Sequence, residues 1–301
     1  MANKIKVTFL GTASGIPTAK RNHTSILLDY GGEHMLFDCG EGTQRQFRKA
    51  RINPCKVNRI LISHWHADHI LGIPGLLQTL ALIGYNKTLH IYGPKGTKKF
   101  MKRILDLFIF KGKYSIKIKE VFGKFFETGD FYLEAKPMTH GIPCNAYSFI
   151  TKDKLRIDKK KLSKAKIPSG PLMSKLKQGK DISYNKKKYK NKDLTYVEKG
   201  KKISVIMDTE MNKKIVPFVK NADLLVCESS FDSNFKAKAK GYLHLTAEQA
   251  GQIAKKSNSK QLVLTHISQR HENNFERILS EAKKEFKNVS IAKDLDEFEV
   301  K

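Results

Sequence analysis

The 301-residue chain has little cysteine: Cys39, Cys55, Cys144 and Cys227 are the only four. They are widely spaced and form no C-x-x-C pair, which excludes a zinc ribbon, a dithiol redox motif and a disulfide framework. All four are expected to be reduced and mostly buried. No apolar run approaches the ~18 residues of a membrane span, so no membrane segment is expected. No leader lies between Met1-Ala2-Asn3-Lys4 and the strand-like Ile5-Lys6-Val7-Thr8-Phe9-Leu10, which predicts a cytoplasmic protein. No internal repeat is evident. Negative charge is scarce as well, with 29 Asp and Glu against 57 Lys and Arg, a formal net charge of +28. Such a field attracts polyanions, of which nucleic acid is the commonest soluble kind. The alternative is a lysine-rich composition with no bearing on binding, and composition alone does not separate the two.

What is present begins with a hydrophobic fraction of 40%, enough for one large domain or two modest ones with an ample core. Strand patterns fall near residues 5–10, 24–30, 34–38, 58–63, 88–92, 115–121, 131–137 and 145–150, with helical patterns near 42–51, 70–84 and 95–109. Residues 151–202 differ: they carry 19 Lys and Arg against 5 Asp and Glu, and few apolar side chains. A segment this polar cannot bury much surface and is expected to project as an arm or long insertion. The Pro and Gly of Lys166-Ile167-Pro168-Ser169-Gly170-Pro171 predict a fixed turn in its middle. Beyond 202, strands are expected at 203–207, 222–227 and 261–265, and helices at 211–220, 246–256 and 272–286.

The densest chemical signal is His64-Trp65-His66-Ala67-Asp68-His69, directly after the apolar Arg59-Ile60-Leu61-Ile62-Ser63. Three imidazoles and a carboxylate in six residues are ligands for Zn²⁺ and its neighbours, and burying them unpaired would be costly. His64 and His66 can converge on one ion, with His140 as third ligand. Asp68 and His69 reach a second ion, completed by His266. Asp208 ends its own strand, as Glu228 and His266 end theirs, and its two oxygens can bridge the ions. Open α/β sheets carry their sites at such strand ends. The stretch Gly11-Thr12-Ala13-Ser14-Gly15 could cradle a phosphate with its N–H groups, or form a tight turn beneath the metals, and a mixed role is expected, shaping the site and lining the substrate path. His23, His34 and His90 have no motif around them and read as surface or core histidines.

These motifs resemble the metallo-β-lactamase superfamily and, within it, the ribonuclease Z family. The resemblance rests on the His-x-His-x-Asp-His motif, on Phe9-Leu10-Gly11-Thr12-Ala13-Ser14-Gly15-Ile16-Pro17-Thr18 through Arg21-Asn22, and on Phe37-Asp38-Cys39-Gly40-Glu41-Gly42-Thr43-Gln44. It rests also on Ile167-Pro168-Ser169-Gly170-Pro171 through Leu176-Lys177-Gln178-Gly179, similar to that family's tRNA-gripping exosite. It spans nearly the whole chain and corresponds to the short form. It implies an α/β fold, a metallo-β-lactamase αβ/βα sandwich over residues 1–301, with a protruding basic tRNA-binding arm inserted at 151–202. Two Zn²⁺ per subunit are implied, one on His64, His66 and His140, the other on Asp68, His69 and His266, with Asp208 shared. Asp68 would also accept the proton of the attacking water. His244, in a His-x-Thr segment, would donate to the departing 3′ oxygen, oriented by Glu228, which by its position alone could equally be a salt-bridged strand-end carboxylate. Gly170, Pro171, Lys175 and Lys177 would contact substrate.

The implied activity is cleavage of precursor tRNA on the 3′ side of the discriminator nucleotide, by a homodimer whose arms each serve the partner's site. The chain departs from the family pattern at Cys227-Glu228-Ser229-Ser230, usually His-Glu-Ala-Thr, at Leu245, usually Ser, and at His271, usually aromatic. These positions bear on the general-acid pairing and leave every implied ligand in place. A phosphodiesterase for cyclic nucleotides or other small esters would share the metal site but have no use for the arm. A non-catalytic RNA-binding subunit would not need the full ligand set, and a β-lactam or thioester hydrolase would not need the arm.

Overall fold

The computed structural model describes residues 4–107, 109 and 114–300. Phe108, within the helix expected at 95–109, and the leader reading at Met1-Ala2-Asn3 lie outside them. Two seven-stranded sheets organise the larger of two compact units, which comprises 1–126, 133–149 and 202–301. The first sheet runs Glu297–Val300, Ile5–Gly11, Ser25–Tyr30, Glu33–Phe37, Arg59–Leu61, Leu89–Gly93 and Ile116–Glu120 in spatial order. Its first four strands are antiparallel and the rest parallel. The second runs Val289–Ile291, Leu262–Thr265, Leu224–Glu228, Lys202–Ile206, Asn145–Thr151, Phe131–Pro137 and Gly123–Glu127, its first four strands parallel.

The inner faces of the sheets meet through aromatic side chains. The Phe37 and Tyr147 rings lie 6.2 Å apart, those of Tyr30 and Phe149 5.2 Å. Tyr147 is fully buried, and its hydroxyl donates to the Ile62 carbonyl at 2.7 Å. The outer face of the first sheet buries Leu36, Ile60 and Ile91 under helices Thr43–Lys49, Gly72–Leu82 and Thr97–Leu107. That of the second buries Leu225, Cys227 and Leu264 under Ala247–Lys256 and Phe275–Glu285. Central strands covered on both faces read as continuous apolar runs, and Leu224–Glu228 is buried at every position. The architecture is the expected αβ/βα sandwich.

Several elements depart from the sequence patterns. The helix expected at 211–220 is a single turn, Ile215–Phe218, because Pro217 supplies no backbone donor. The helix expected at 70–84 begins inside the metal motif as Ala67–Ile70 and restarts as Gly72–Leu82. Gly123–Glu127, Val289–Ile291 and Glu297–Val300 are short and half-polar, and were not anticipated.

The second unit comprises Glu127–Tyr132 and Ile150–Lys201. It holds an antiparallel strand pair, Lys154–Ile157 with Thr195–Glu198, which encloses a second pair, the hairpin of Ile182–Tyr184 with Lys187–Tyr189, and helices Lys159–Lys164, Leu172–Lys177 and Asn191–Leu194. Asn185 and Lys186, at φ 48° and 60°, form the hairpin's turn with the left-handed pair such two-residue loops require. The expectation that this segment buries little is corrected here. Leu162, Ile167, Leu176, Ile182 and Leu194 form a small core of its own, and the Asp158 carboxylate caps a helix at the Lys160 and Lys161 N–H groups.

So small a core depends on each member. Leu176→Ala, at a fully buried position, should cost about 2–5 kcal/mol. Hydrogen exchange should then show amides within 154–198 losing protection while those of Leu224–Glu228 keep theirs.

Candidate metal centre

Four of the expected ligands follow strands of the two sheets, and Asp68 and His69 lie on the short helix Ala67–Ile70. Arg59–Leu61 leads to His64, Phe131–Pro137 to His140, Lys202–Ile206 to Asp208, and Leu262–Thr265 to His266. The loop 63–72 is pinned by the turn at Cys39-Gly40: Cys39 N–H donates to the His69 carbonyl at 2.8 Å, and Gly72 N–H to the Cys39 carbonyl at 2.9 Å. A Cβ on Gly40 would lie 2.5 Å from the Asp68 carbonyl oxygen, and one on Gly72 2.0 Å from that of Gly40. Only glycine permits the two loops this approach.

The structure brings His64, His66, His140 and Asp208 into one group, and Asp68, His69, Asp208 and His266 into another, with Asp208 common to both. In the first, His64 Nε2 lies 2.9 Å from His66 Nδ1, His140 Nε2 lies 3.2 Å from the same atom, and both Nε2 atoms lie 3.5 Å from Asp208 Oδ2. In the second, His69 Nε2 lies 3.2 Å from His266 Nε2 and from Asp68 Oδ2, and His266 Nε2 lies 3.2 Å from Asp208 Oδ1. Ligands about 2.0–2.1 Å from a tetrahedral ion stand roughly 3.3 Å from one another. Both groups therefore fit a small divalent cation. Asp208 Oδ1 is buried and accepts no hydrogen bond, which suits a carboxylate kept for a metal.

The far nitrogens determine which tautomer faces inward. His140 Nδ1 donates to the Leu243 carbonyl at 3.0 Å, and His69 Nδ1 to Asp38 Oδ2 at 2.7 Å. The Ser63 hydroxyl donates to the same carboxylate at 2.7 Å and accepts from His64 Nδ1 at 3.0 Å. Ser230 Oγ accepts from His266 Nδ1 at 2.8 Å and donates to Glu228 Oε2 at 2.7 Å. Four imidazoles thus turn an Nε2 lone pair toward the centre, held there by outer partners. Burial holds His64 well below the usual imidazole range. On His69 burial acts the same way, but the Asp208, Asp38 and Asp68 carboxylates outweigh it and raise the pKa well above 6.5. The field that favours a proton there favours a divalent cation equally.

His244 stands beside both groups, its Nε2 3.9 Å from Asp208 Oδ2. Its Nδ1 donates to Glu228 at 3.0 Å, so Glu228, fully buried at its strand end, is the partner of His244 rather than of a surface base. Burial lowers the His244 pKa, yet Glu228 and Asp208 prevail and lift it to about 9. Glu228 Oε1 also accepts the Thr209 N–H at 2.8 Å. Sequence reasoning missed Asp38, Ser63, Thr209 and Ser230. Only Asp38 carried a usable signal, a carboxylate just beyond an apolar strand, as at Asp208. Of the departures from the family pattern, Ser230 supplies a bridging hydroxyl, Leu245 is core, and His271 packs edge-on against Phe235.

The glycine-rich opening resolves as a turn. Thr12 and Ala13 N–H donate to the Asn22 carbonyl and Ser14 N–H to that of Ile267, so none of the three faces a phosphate. The cysteines are free, three of them buried. His23 and His34 are buried, His34 beside Asp29, and His90 is half-buried. Gly170, Pro171, Lys175 and Lys177 belong to the other unit, all exposed, at the start and along the helix Leu172–Lys177. Among the described residues no helix is long and apolar enough to cross a membrane.

A cavity of about 360 Å³ opens onto the ligand groups, lined by His66, Asp68, Asp208 and His244. Fold and site together define a metal-dependent hydrolase of the metallo-β-lactamase class. The chain is similar in structure to a metallo-β-lactamase fold protein of Bacillus subtilis (TM-score 0.71, 22% identity, 99% of this chain and 100% of that one). It is also similar to human tRNase Z, short form (TM-score 0.70, 26% identity, 97% and 98% covered). In sequence it is 39% identical to the ribonuclease Z of Nanoarchaeum equitans over 98% of this chain and 93% of that protein. A family model described as Anti-Pycsar protein Apyc1 matches residues 5–160. The chain belongs to the ribonuclease Z family and is an endoribonuclease of the tRNA 3′-processing class.

The Asp38 carboxylate should govern metal uptake without touching the metal. Asp38→Asn keeps an acceptor for the Ser63 N–H but loses the charge facing His69, and should weaken metal binding about 10–100-fold. Titration against a chromophoric chelator would measure this, and unchanged affinity would remove Asp38 from the site.

Proposed function

We propose that this protein is a zinc-dependent endoribonuclease that cuts precursor tRNA on the 3′ side of the discriminator nucleotide. It leaves a 3′-hydroxyl on the tRNA and a 5′-phosphate on the trailer. The observation that carries this reading is the pair of ligand groups sharing Asp208, with the His244–Glu228 pair against them, in a chain of the ribonuclease Z family. His64, His66 and His140 would hold one Zn²⁺, Asp68, His69 and His266 the other, and Asp208 both. Such a pair supplies Lewis acidity at phosphorus and brings the pKa of water from 15.7 to about 7.

The chain's own groups move the protons. Asp68 accepts one from the attacking water as the new O–P bond forms. His69 and His266 outweigh burial and hold the Asp68 carboxyl well below the usual range, so it is ionised when the water arrives. The bond from phosphorus to the 3′ oxygen breaks, and His244 Nε2 protonates that oxygen. Glu228 holds the opposite nitrogen and stabilises the charged imidazole that must donate.

The second unit would grip the tRNA body through Gly170, Pro171, Lys175 and Lys177. Exposed lysines on a short helix suit phosphate contacts, and a double-helical RNA offers shape rather than sequence to such a surface. As the family resemblance implies, the working form is a homodimer in which each such unit serves the partner's site. We place it in the cytoplasm, a setting in keeping with four unpaired cysteines.

Incubating the zinc-loaded protein with a precursor tRNA bearing a 3′ trailer, and mapping both product ends, tests the reading. One cut after the discriminator, abolished in His66→Ala, is expected. No cut, with a small phosphodiester hydrolysed instead, would move the function to small esters. His244→Ala should lower kcat by about 10²–10⁴ with the zinc content unchanged. Loss of zinc in that variant would make His244 a ligand instead of an acid.

A further inference from the structure

The cavity over the ligand groups carries side chains that the reaction above leaves unused. Arg270, in the turn Gln269–His271, is exposed and lines the cavity. Its guanidinium carbon lies 5.1 Å from the ring centroid of Phe231 and 5.3 Å from that of Phe235. Among the described residues it forms no ion pair, although Asp68 and Asp208 line the same cavity. Tyr242, also in the lining, is 61% exposed, and its ring lies nearly parallel to that of Phe231, at 11° and 6.5 Å between centroids. Phe231 itself is buried. The Arg270 cation and the Tyr242 plane thus both neighbour one buried ring, and Lys238 Nζ stands 5.9 Å from the Tyr242 ring centroid.

Each half has a chemical reading. A guanidinium attracted to the faces of aromatic rings still has N–H groups to offer an acceptor, and with no carboxylate engaged they suit a phosphate. An exposed aromatic plane continuing a buried stack suits a planar, partly apolar group, and every nucleobase offers one. Phosphate and base together make a nucleotide. The cavity's volume is that of a small-ligand site.

We propose that Arg270 and Tyr242 form a subsite for the nucleotide adjoining the scissile linkage, Arg270 gripping its outer backbone phosphate and Tyr242 stacking its base. The proposal rests on the endoribonuclease reading but not on tRNA as the substrate. Stacking reads no sequence, so this subsite tolerates any base, and discrimination falls to contacts elsewhere.

The test uses the zinc-loaded protein and a single-stranded hexaribonucleotide whose central linkage is an uncleavable methylphosphonate. Binding is followed by fluorescence anisotropy from low to moderate salt. Tyr242→Ala should weaken binding about 5–100-fold, and Tyr242→Phe should restore it. Arg270→Ala should reduce the slope of log Kd against log salt by about 0.7, the share of one phosphate contact on a single strand. Arg270→Lys should keep the slope while losing affinity. A merely structural role would not move the slope. Absence of wild-type binding, or variants that bind like wild type with the same slope, would overturn the proposal. Expected behaviour with the hexanucleotide, alongside intact precursor tRNA, would keep the subsite and reject the tRNA reading.

Discussion

Asp208 is a fully buried carboxylate with four imidazole nitrogens within 3.5 Å and a fifth at 3.9 Å. Burying such a charge unpaired would cost several kcal/mol, and the surrounding imidazoles would themselves be unstable there without outer partners. The fold's answer is to draw most members from just beyond the ends of strands, with His69 on the short helix Ala67–Ile70. Positions within three residues of a strand end are stiff, because the chain behind them is locked in a ladder. They also open toward one cavity, which His66, Asp68, His140, Asp208 and His266 line while Asp38 and Glu228 stay buried behind them. Both sheets contribute, and this ties the centre to the sandwich as a whole. The Tyr147 hydroxyl on the Ile62 carbonyl and the Asn145 N–H on that of Ser63 hold the motif loop of one sheet to a strand of the other.

A second tier of groups converts placement into chemistry. Asp38 on one side and Glu228 on the other are both buried carboxylates that touch the far nitrogens of histidines, and each recruits a serine hydroxyl to reach one more imidazole. The two serve different ends. Asp38 acts on His69 and, through Ser63, on His64, so it orients ligands alone. Glu228 acts on His266 through Ser230 and directly on His244, coupling a candidate ligand to the proposed proton donor. The candidate metal groups and His244 are thus linked electrostatically through Asp208 and Glu228.

The convergence of the candidate ligands was legible because its signals are local: three histidines and an aspartate in six residues, and polar residues ending otherwise apolar strands. Asp38 and Ser230 escaped because they act on the side of an imidazole that faces away from the cavity, and spacing along the chain does not encode which nitrogen a neighbour holds. The small core of the second unit was illegible for another reason. Leu162, Ile167, Leu176, Ile182 and Leu194 are separated by lysine-rich turns, so neither a period of 3.6 nor one of 2 survives across them. The glycine-rich opening misled in part. Its N–H groups look free in sequence, and only the close passage of Asn22 and Ile267 shows that they are taken.

Two of the site's own residues sit in the left-handed region, Asp38 at φ 56° and His266 at φ 57°. Such conformations cost about 1–3 kcal/mol at a residue other than glycine, and they persist only where the surroundings over-determine them. Both are over-determined here. Asp38 is held by the Ser63 N–H and hydroxyl and by His69, and its own N–H donates to the Leu61 carbonyl. His266 is held at its ring by Ser230, and on its far side by the bridge between Ala13 and Ile267. In an ordinary turn a glycine or asparagine would relieve the strain. Here neither can replace a carboxylate that orients one imidazole, or an imidazole that faces a shared carboxylate. The strain is therefore the cost of bending a chain sharply at the end of a strand while keeping an acid or a base at the bend, and the hydrogen bonds around each residue are what offset it.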